Sequence, residues 1–560
     1  MLKTSTDQRG LLANMNVIAQ APGGVARLRE LILTLAVQGK LVAQDASDEP
    51  ASELLKKIRA EKDRLIAEGK IKKDKPLPAI TEDEKPFELP VGWEWIRISD
   101  VAYSQAGFAF KSSGFNTIGA GLPLIRIRDV GFDSPETYFS GDYRKEFLVS
   151  YGDWLISMDG EFRVRQWKGS LALLNQRVSR LIFYYSDLPS FFITTALQFE
   201  LNKLQGTKAY TTVDHLSGAQ ISNAVIALPP LAEQSRIVAR VEALMRLCDA
   251  LEEKGRLEQT QHQQLLQAML DSLTQTTDAQ ELARHWQRLA QHFDLLIDRP
   301  EAVDALEQTI LQLAVRGLLV PQDPSDEPAS ELLKKIRAEK DRLIAEGKIK
   351  KDKPLPAVAD DEKPFELPAG WIWGRVGNVG ITKTGGTPSS SRSENFDGKF
   401  PFIGPGQITL KGEVLPPEKF ISEIGCLESE IAEPNDILMV CIGGSIGKCA
   451  AVNYATAFNQ QINSIHPIYA LNDYVLYAMK SRDFFFAVIA AATGSATPII
   501  SKGKWDQLLL PIPPLAEQSR IVARVTELRA LCQQLREKLT QARTTQTQLA
   551  QAWVEQVATI

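Results

Sequence analysis

Beyond Pro514 the apolar residues recur in alternating steps of four and three: Ile521, Val525, Leu528, Cys532, Leu535, Leu539, Ala542, Leu549 and Trp553, with Gln546 interrupting. That spacing is the heptad seam of a long α-helix. An earlier run begins the same way at Ile237, Val241, Leu244, Cys248 and Leu251, falters at Gly255 and resumes at Leu265, Met269 and Leu273. A break or bend is expected near Gly255. Each run covers roughly 40 residues, about 60 Å of helix at 1.5 Å per residue. One such seam is explained by a bundle core, but two similar seams, each following a globular segment, predict an antiparallel coiled coil.

Elsewhere the pattern is shorter and mixed. Leu124 to Ile127, Asp153 to Ile156 and Arg180 to Tyr185 read as strands, and Ser190 to Leu204 as a helix. Phe400 to Ile403, Ile437 to Ile442 and Ile462 to Pro467 repeat the strand pattern, with Asp473 to Ala492 helical. Both regions are expected to be mixed α/β globules of the α+β type.

The chain also repeats itself. Ser47 to Ala79, SDEPASELLKKIRAEKDRLIAEGKIKKDKPLPA, is identical to Ser325 to Ala357, an offset of 278. Pro229 to Val241, PPLAEQSRIVARV, returns at Pro513 to Val525, an offset of 284. Two unlike segments, Glu94 to Leu228 and Ile372 to Ile512, therefore lie between near-identical frames. A period this long excludes a solenoid and marks a duplicated half-protein, with a pseudo-two-fold internal repeat, in which the insert is exchanged. The expected division is 1–93 (helical region with a charged arm), 94–228 (insert one), 229–371 (long helix, then second frame), 372–512 (insert two) and 513–560 (long helix). In the arm, Ser47 or Asp48 is the expected N-cap of a helix that Gly69 ends. The lysines at 70, 72, 73 and 75 that follow fit either phosphate binding or a solvated protein-docking arm.

Composition narrows the class. At 560 residues and 44% hydrophobic, the chain can build several domains. Five cysteines without CxxC spacing and five scattered histidines favour neither a disulfide framework nor a metal site. The longest uncharged apolar stretch, Phe484 to Ser501, includes Gly494, Ser495, Thr497 and Pro498 and is too short to span a bilayer. Asp7 and Arg9 interrupt the first residues, unlike a secretion signal. A cytoplasmic protein with no membrane contact is expected.

The net charge of 64 − 69 = −5 carries no global signature of nucleic-acid binding. Lys and Arg against Asp and Glu give 13 − 13 = 0 for insert one and 11 − 12 = −1 for insert two, so any basic face is local. Candidates for phosphate or base contacts on expected loops are Lys111, Ser112, Arg126, Arg128, Arg163, Arg165 and Lys208 in insert one. In insert two they are Lys383, Thr387, Ser389, Lys411, Ser445, Lys448, Gln460 and Lys502. Arginine pairs in bidentate fashion with guanine and glutamine with adenine. Ordinary surface solvation is the competing account of each residue.

Two variable globules, each ending in a PPLAEQ motif that opens a long helix, resemble the specificity subunit of a type I restriction-modification enzyme. The repeated LILTLAVQGKLV and SELLKKIRAEKDRLIAEGKIKKDKPLP segments are similar to shared regions of one subfamily. So are Pro123-Leu124-Ile125-Arg126 with Asp129, Gly152-Asp153, and Gly443-Gly444-Ser445-Ile446-Gly447 within the inserts. The resemblance implies two target recognition domains, each reading one half of a bipartite asymmetric site on double-stranded DNA. It implies helices that fix the spacer, and assembly with two methyltransferase subunits and with motor-nuclease subunits. It also implies no catalytic residue and no cofactor of the chain's own, because S-adenosylmethionine, ATP and Mg serve the partners.

Two other functions fit the residues less well. A single-chain adenine methyltransferase would use Phe402-Ile403-Gly404-Pro405-Gly406 as a cofactor loop. Pro405 suits that role badly, and no Asn or Asp precedes a Pro-Pro pair to hold a flipped base. A phosphate loop at Gly443 to Lys448 fails because Ile442 and Cys449 stand where glycine and Ser/Thr are required. Asp153, Asp159 and Glu161 imitate a nuclease cluster, but the Gly-Asp turn recurs as Asn435-Asp436, which favours a structural role. A protein-only scaffold would not need two different inserts.

Overall fold

The computed structural model describes residues 15, 18–71, 77–132, 134–206, 215–276, 279–351, 353–494 and 497–559. Contacts divide the chain into Met1–Glu258 with Arg543–Ile560, and Gln259–Ala542. Each unit holds one insert, its own copy of the frame, the start of one long helix and part of the other.

In the first unit, α1 (Gly24–Val37) buries Leu28, Leu31, Ile32 and Leu35. Its chain turns at Gly39, φ 70°, where a Cβ would lie 2.5 Å from Pro90 Cγ and 2.9 Å from the Trp93 ring. No larger residue fits there. The arm helix α2 (Ala51–Ala67) is preceded by Pro50 as N-cap, not by Ser47 or Asp48. Those two side chains are engaged elsewhere: the Ser47 hydroxyl donates to Asp45 (2.7 Å) and the Asp48 carboxylate pairs with Arg236 (2.6 Å). Gly69, φ 68°, follows the helix end as the sequence requires. Lys70 pairs with Glu68 (2.8 Å), while Lys72, Lys73 and Lys75 lie outside the described residues.

Insert one is bounded by β1 (Glu94–Arg97) and β11 (Val225–Leu228), whose antiparallel ladder sets Glu94 opposite Leu228. Its two ends therefore leave the frame side by side, so a different globule can be mounted without moving the frame. Between them lie β2 (Ala102–Ala106), β3 (Phe115–Asn116), β4 (Leu122–Ile125), β5 (Tyr138–Phe139), β6 (Leu148–Val149), β7 (Trp154–Ser157), β8 (Val164–Gln166), β9 (Ala172–Leu174) and β10 (Val178–Phe183). One sheet has the order β2-β10-β7-β8 and the other β3-β5-β4-β9-β6, with β4 parallel to β9. Helix α3 (Ser190–Gly206) covers the first sheet and shares one apolar core with α1, through Phe192, Ile193, Ala196, Leu197 and Leu201. The long helix α4 (Leu231–Gln275) then begins.

The second unit repeats the plan: α5 (Pro300–Val315), α6 (Ala329–Ala345) and an insert bounded by β12 (Ile372–Arg375) and β21 (Leu509–Ile512). Inside it are β13 (Gly380–Thr384), β14 (Phe400–Ile403), β15 (Lys419–Ile421), β16 (Glu430–Ala432), β17 (Ile437–Val440), β18 (Cys449–Ala451), β19 (Thr456–Phe458) and β20 (Ile462–Pro467). Their orders, β13-β20-β17-β18 and β15-β14-β19-β16, with β14 parallel to β19, match insert one except that its outer strand β3 has no counterpart among the described residues. The expected single helix over Asp473–Ala492 is two, α7 (Asn472–Lys480) and α8 (Arg482–Ala491). Ser481 divides them: its hydroxyl donates to the Ala478 carbonyl (2.7 Å) and caps α8 by accepting from the Phe484 N–H (3.3 Å). The second long helix is α9 (Leu515–Thr559).

The PPLAEQSR motif locks each long helix to its frame. Glu233 is buried and accepts from Trp93 Nε1 (2.9 Å) and Gln44 Nε2 (2.8 Å), while Gln234 donates to the Pro229 carbonyl (2.8 Å). Glu517 does the same with Trp371 (2.9 Å) and Gln322 (3.2 Å), and Arg520 pairs with Asp326 (2.7 Å) as Arg236 does with Asp48.

Both long helices are continuous 45-residue helices, so no break occurs at Gly255. A helical glycine costs about 1 kcal/mol without removing a backbone hydrogen bond, and nothing crowds this one. The first unit packs Leu244 and Cys248 of α4 in one core with Ala550 and Val554 of α9, and the second packs Leu266, Leu270 and Leu273 with Ile521, Val525 and Cys532. Each unit thus draws one segment of each long helix into a single core. The stripe departs from the heptad at the far ends: Leu266, Leu270 and Ala550 are buried, while Leu265, Leu549 and Trp553 are 55%, 57% and 45% exposed. A straight helix turns every 3.6 residues, drifting about 20° per heptad, so the inward face advances by one position.

Candidate nucleic-acid interface

Strand pairing gathers four loops of insert one at one edge. Val178, the first residue of β10, is opposite Ser157, the last of β7, and Ser179 is opposite Ala106, the last of β2. In the second sheet Ile125 and Leu174 end β4 and β9 together. Hydrogen bonds then tie the two edges: Phe108 N–H to the Leu174 carbonyl (2.9 Å), Gly107 N–H to Val178 (2.9 Å), and Asn175 N–H to Ile125 (3.3 Å). Gly107 is required, because a Cβ would lie 2.1 Å from the Asn175 carbonyl oxygen. Insert two makes the same bonds, Gly386 to Phe458 (3.0 Å), Gly385 to Ile462 (3.0 Å) and Asn459 to Ile403 (2.9 Å).

The edge of insert one carries Lys111, Ser112, Arg126, Arg128 and Arg163. Lys111 and Ser112 are exposed in the loop after β2. Arg126 and Arg128 stand in the turn after β4, whose shape is set by the Asp129 carboxylate accepting from the Arg126 N–H (2.8 Å). Burial pushes the Asp129 pKa up against that bond. Among the described residues, no hydrogen-bond or ion-pair partner is seen for either guanidinium. Arg163 pairs with Glu161 in the loop between β7 and β8. Arg165 is one residue into β8 and donates to the Val164 carbonyl (2.8 Å) and Gln198 (3.2 Å); desolvation, then Arg163, lowers its pKa. Lys208 lies outside the described residues.

On the matching edge of insert two are Thr387, Ser389, Ser445, Lys448 and Gln460. Thr387 bonds Gln460 and accepts from Asn459 Nδ2 (3.0 Å). The Ser389 N–H donates to Glu428 (3.0 Å), and Ser445 and Lys448 form the loop between β17 and β18 through a 3.2 Å backbone bond. Three candidates stand apart. Lys383 on β13 donates to the Ile431 carbonyl (3.0 Å), Lys502 pairs with Asp506 (2.7 Å), and Lys411 sits on a hairpin whose carbonyl accepts from Lys480 (2.5 Å).

The turn after β9 and β19 also lies at this edge. Asn175-Gln176-Arg177 and Asn459-Gln460-Gln461 occupy it, and of these only Gln460 is among the sequence candidates. The signal was in the sequence: LNQ and FNQ are 284 residues apart, the offset of the PPLAEQ blocks.

The nuclease-like carboxylates are structural where the repeat said so. Asp153 accepts from the Ser150 N–H (2.8 Å) and pairs with Arg180 (3.1 Å); Asp436 accepts from Glu433 (3.0 Å) and pairs with His466 (2.6 Å), raising the histidine's pKa. Gly404-Pro405-Gly406 forms the counterpart of the Arg126–Asp129 turn, with Gln407 accepting from the Gly404 N–H (3.0 Å). No cluster of three or more His, Cys, Asp or Glu placed to hold a metal occurs among the described residues, nor any helix long and apolar enough to cross a membrane.

A duplicated frame carrying two globules of one topology, alike in backbone at one edge and unlike in side chains there, defines a paired recognition subunit. The family model described as "Type I restriction modification DNA specificity domain" matches residues 90–262 and 368–542. The type I restriction enzyme EcoAI specificity subunit of Escherichia coli is 36% identical, over 94% of this chain and 93% of its own length. The EcoEI specificity subunit of Escherichia coli is 35% identical, again over 94% and 93%. A chain from a solved structure of a type I R-M system aligns at 20% identity with a TM-score of 0.43, covering 84% of this chain and 99% of that one. The chain belongs to the family of type I restriction-modification specificity subunits.

Proposed function

We propose that this chain selects the DNA sequence for a type I restriction-modification complex, each insert reading one half of a bipartite, asymmetric site. The observation that carries this is the matched edge: equivalent loops on the same backbone present Arg126 and Arg128 in one insert and Gly404 and Gly406 in the other. A scaffold for two identical partners has no use for that difference. Candidate contacts in the first half are Lys111, Ser112, Arg126, Arg128 and Arg163, and in the second Thr387, Ser389, Ser445, Lys448 and Gln460.

Two methyltransferase subunits dock on the repeated frame. In support, the long helices expose equivalent leucines, Leu247 (42%) with Leu531 (53%), and Leu265 with Leu549. Two copies of one apolar surface fit two copies of one partner. Methylation with S-adenosylmethionine, and ATP- and Mg-dependent cleavage by motor-nuclease subunits, belong to those partners. The chain itself is non-catalytic, a reading supported by the structural roles of its glycine loops and carboxylates. The long helices set the spacer: 45 residues at 1.5 Å each is about 67 Å, enough to place two readers one DNA turn, ~34 Å, apart. The test is reconstitution of the chain with its methyltransferase subunits, followed by gel shifts and methylation mapping. A bipartite consensus is expected, and absence of any sequence preference in that complex would remove the reading.

A further inference from the structure

We infer that position 177 decides one base of the first half-site: Arg177 reads a guanine and Asp159 is its positioning residue. This rests on the reading of the inserts as DNA-recognition domains. Arg177 follows the Asn175-Gln176 turn, and its carbonyl accepts from the Met158 N–H (3.0 Å), so it emerges at the edge where the loops after β2, β4 and β7 meet. Its side chain is 52% exposed. Nε lies 3.4 Å from Asp159 Oδ2, and the other oxygen, Oδ1, is 2.5 Å from His215 Nδ1. Nη1 of Arg177 is directed at the same ring nitrogen, 3.2 Å away. The guanidinium is thus flanked by a carboxylate that is only 16% exposed and by the imidazole that this carboxylate engages. No partner is seen for Nη2 among the described residues, and Nη1 keeps a second N–H, so the outer edge of the guanidinium can make the pair of parallel bonds that guanine O6 and N7 accept. Orientation before binding lessens the side-chain freedom lost on contact.

Insert two carries a different reader at the same register. The Gln461 carbonyl accepts from the Cys441 N–H (2.7 Å), as Arg177 does from Met158. The bridge between Asp159 and His215 is replaced by one between Ile442 and Ile499. An apolar pair cannot hold a guanidinium, whereas the amide of Gln461 matches adenine N6 and N7. One backbone position therefore carries arginine in the first insert and glutamine in the second.

The experiment uses the full chain reconstituted with its methyltransferase subunits and scores methylation over a randomised DNA pool. Arg177→Gln is expected to lower methylation of the wild-type site about 5- to 140-fold, the equivalent of one bidentate base contact. The loss falls at one guanine of the first half-site, with the second half-site read as before. Asp159→Asn is expected to relax preference at the same base to a smaller extent, and Asp159→Glu to restore it, an effect that a merely structural pair would not confine to one base. Unchanged second-half reading serves as the folding control in every variant. An even loss across all first-half sequences, with a shallower salt dependence, would make Arg177 a phosphate contact and overturn the inference. So would an unchanged consensus in Arg177→Gln while the wild type reads a bipartite site. A wild-type complex without half-site preference would instead bring down the underlying functional reading together with this one.

Discussion

Replacing Glu233 by alanine tests the lock between helix and frame. The carboxylate is buried, accepts from Trp93 Nε1 and Gln44 Nε2, and lies in the first turn of α4. Removing it strands the indole N–H of Trp93, which is 5% exposed, at a cost of about 1 to 3 kcal/mol. It also removes a carboxylate near a helix N-terminus, about 0.3 to 1 kcal/mol. Relief from burying a charge offsets part of this, leaving about 2 kcal/mol at neutral pH, or a fall of about 4 to 8 °C in Tm for a unit of this size. The pH dependence has a defined sign. Burial raises the pKa of Glu233 despite its two hydrogen bonds. A group raised on folding contributes most below its unfolded pKa, and that contribution is lost as pH rises through the folded value. The gap between wild type and Glu233→Ala is therefore widest in acid and narrows toward neutrality, measured by denaturant unfolding across pH. Glu517→Ala makes the same change in the second unit, where Glu517 is raised for the same reason. A loss under about 0.5 kcal/mol, the level of a bland surface change, or a gap that widens from acid to neutral pH, refutes the reasoning.

The drift of the coiled-coil stripe predicts that Leu270→Ala costs about 2 to 5 kcal/mol and Leu265→Ala under about 0.5, because Leu270 is 1% exposed and Leu265 55%; chemical denaturation of both variants distinguishes this from the heptad register. Arg126→Ala should weaken only the first half-site, by about 1 to 3 kcal/mol if its contact is bidentate, and methylation mapping that shows an unchanged site would exclude it. Inserting four residues after Leu251 lengthens α4 by about 6 Å and is expected to change the spacer in mapped methylation sites while the half-sites stay the same.

The amino-acid sequence by itself determined the repeat, the helical stretches and most strands, because these are local properties: a period of two or near 3.6, a proline or glycine at an end, or an identical string. It also carried the family, since the PPLAEQ blocks and the arm are contiguous. Only tertiary structure decided which loops form one edge. Arg126 and Asn175 are neighbours because β4 runs parallel to β9, and Asp159 holds Arg177 because β7 pairs with β10. No local pattern encodes such a meeting of distant segments. The same holds where local reading failed. Asp48 left the cap position for a charged partner 188 residues away, and Leu549 and Trp553 turned outward because a straight helix advances by 3.6 residues per turn while the apolar spacing follows 3.5.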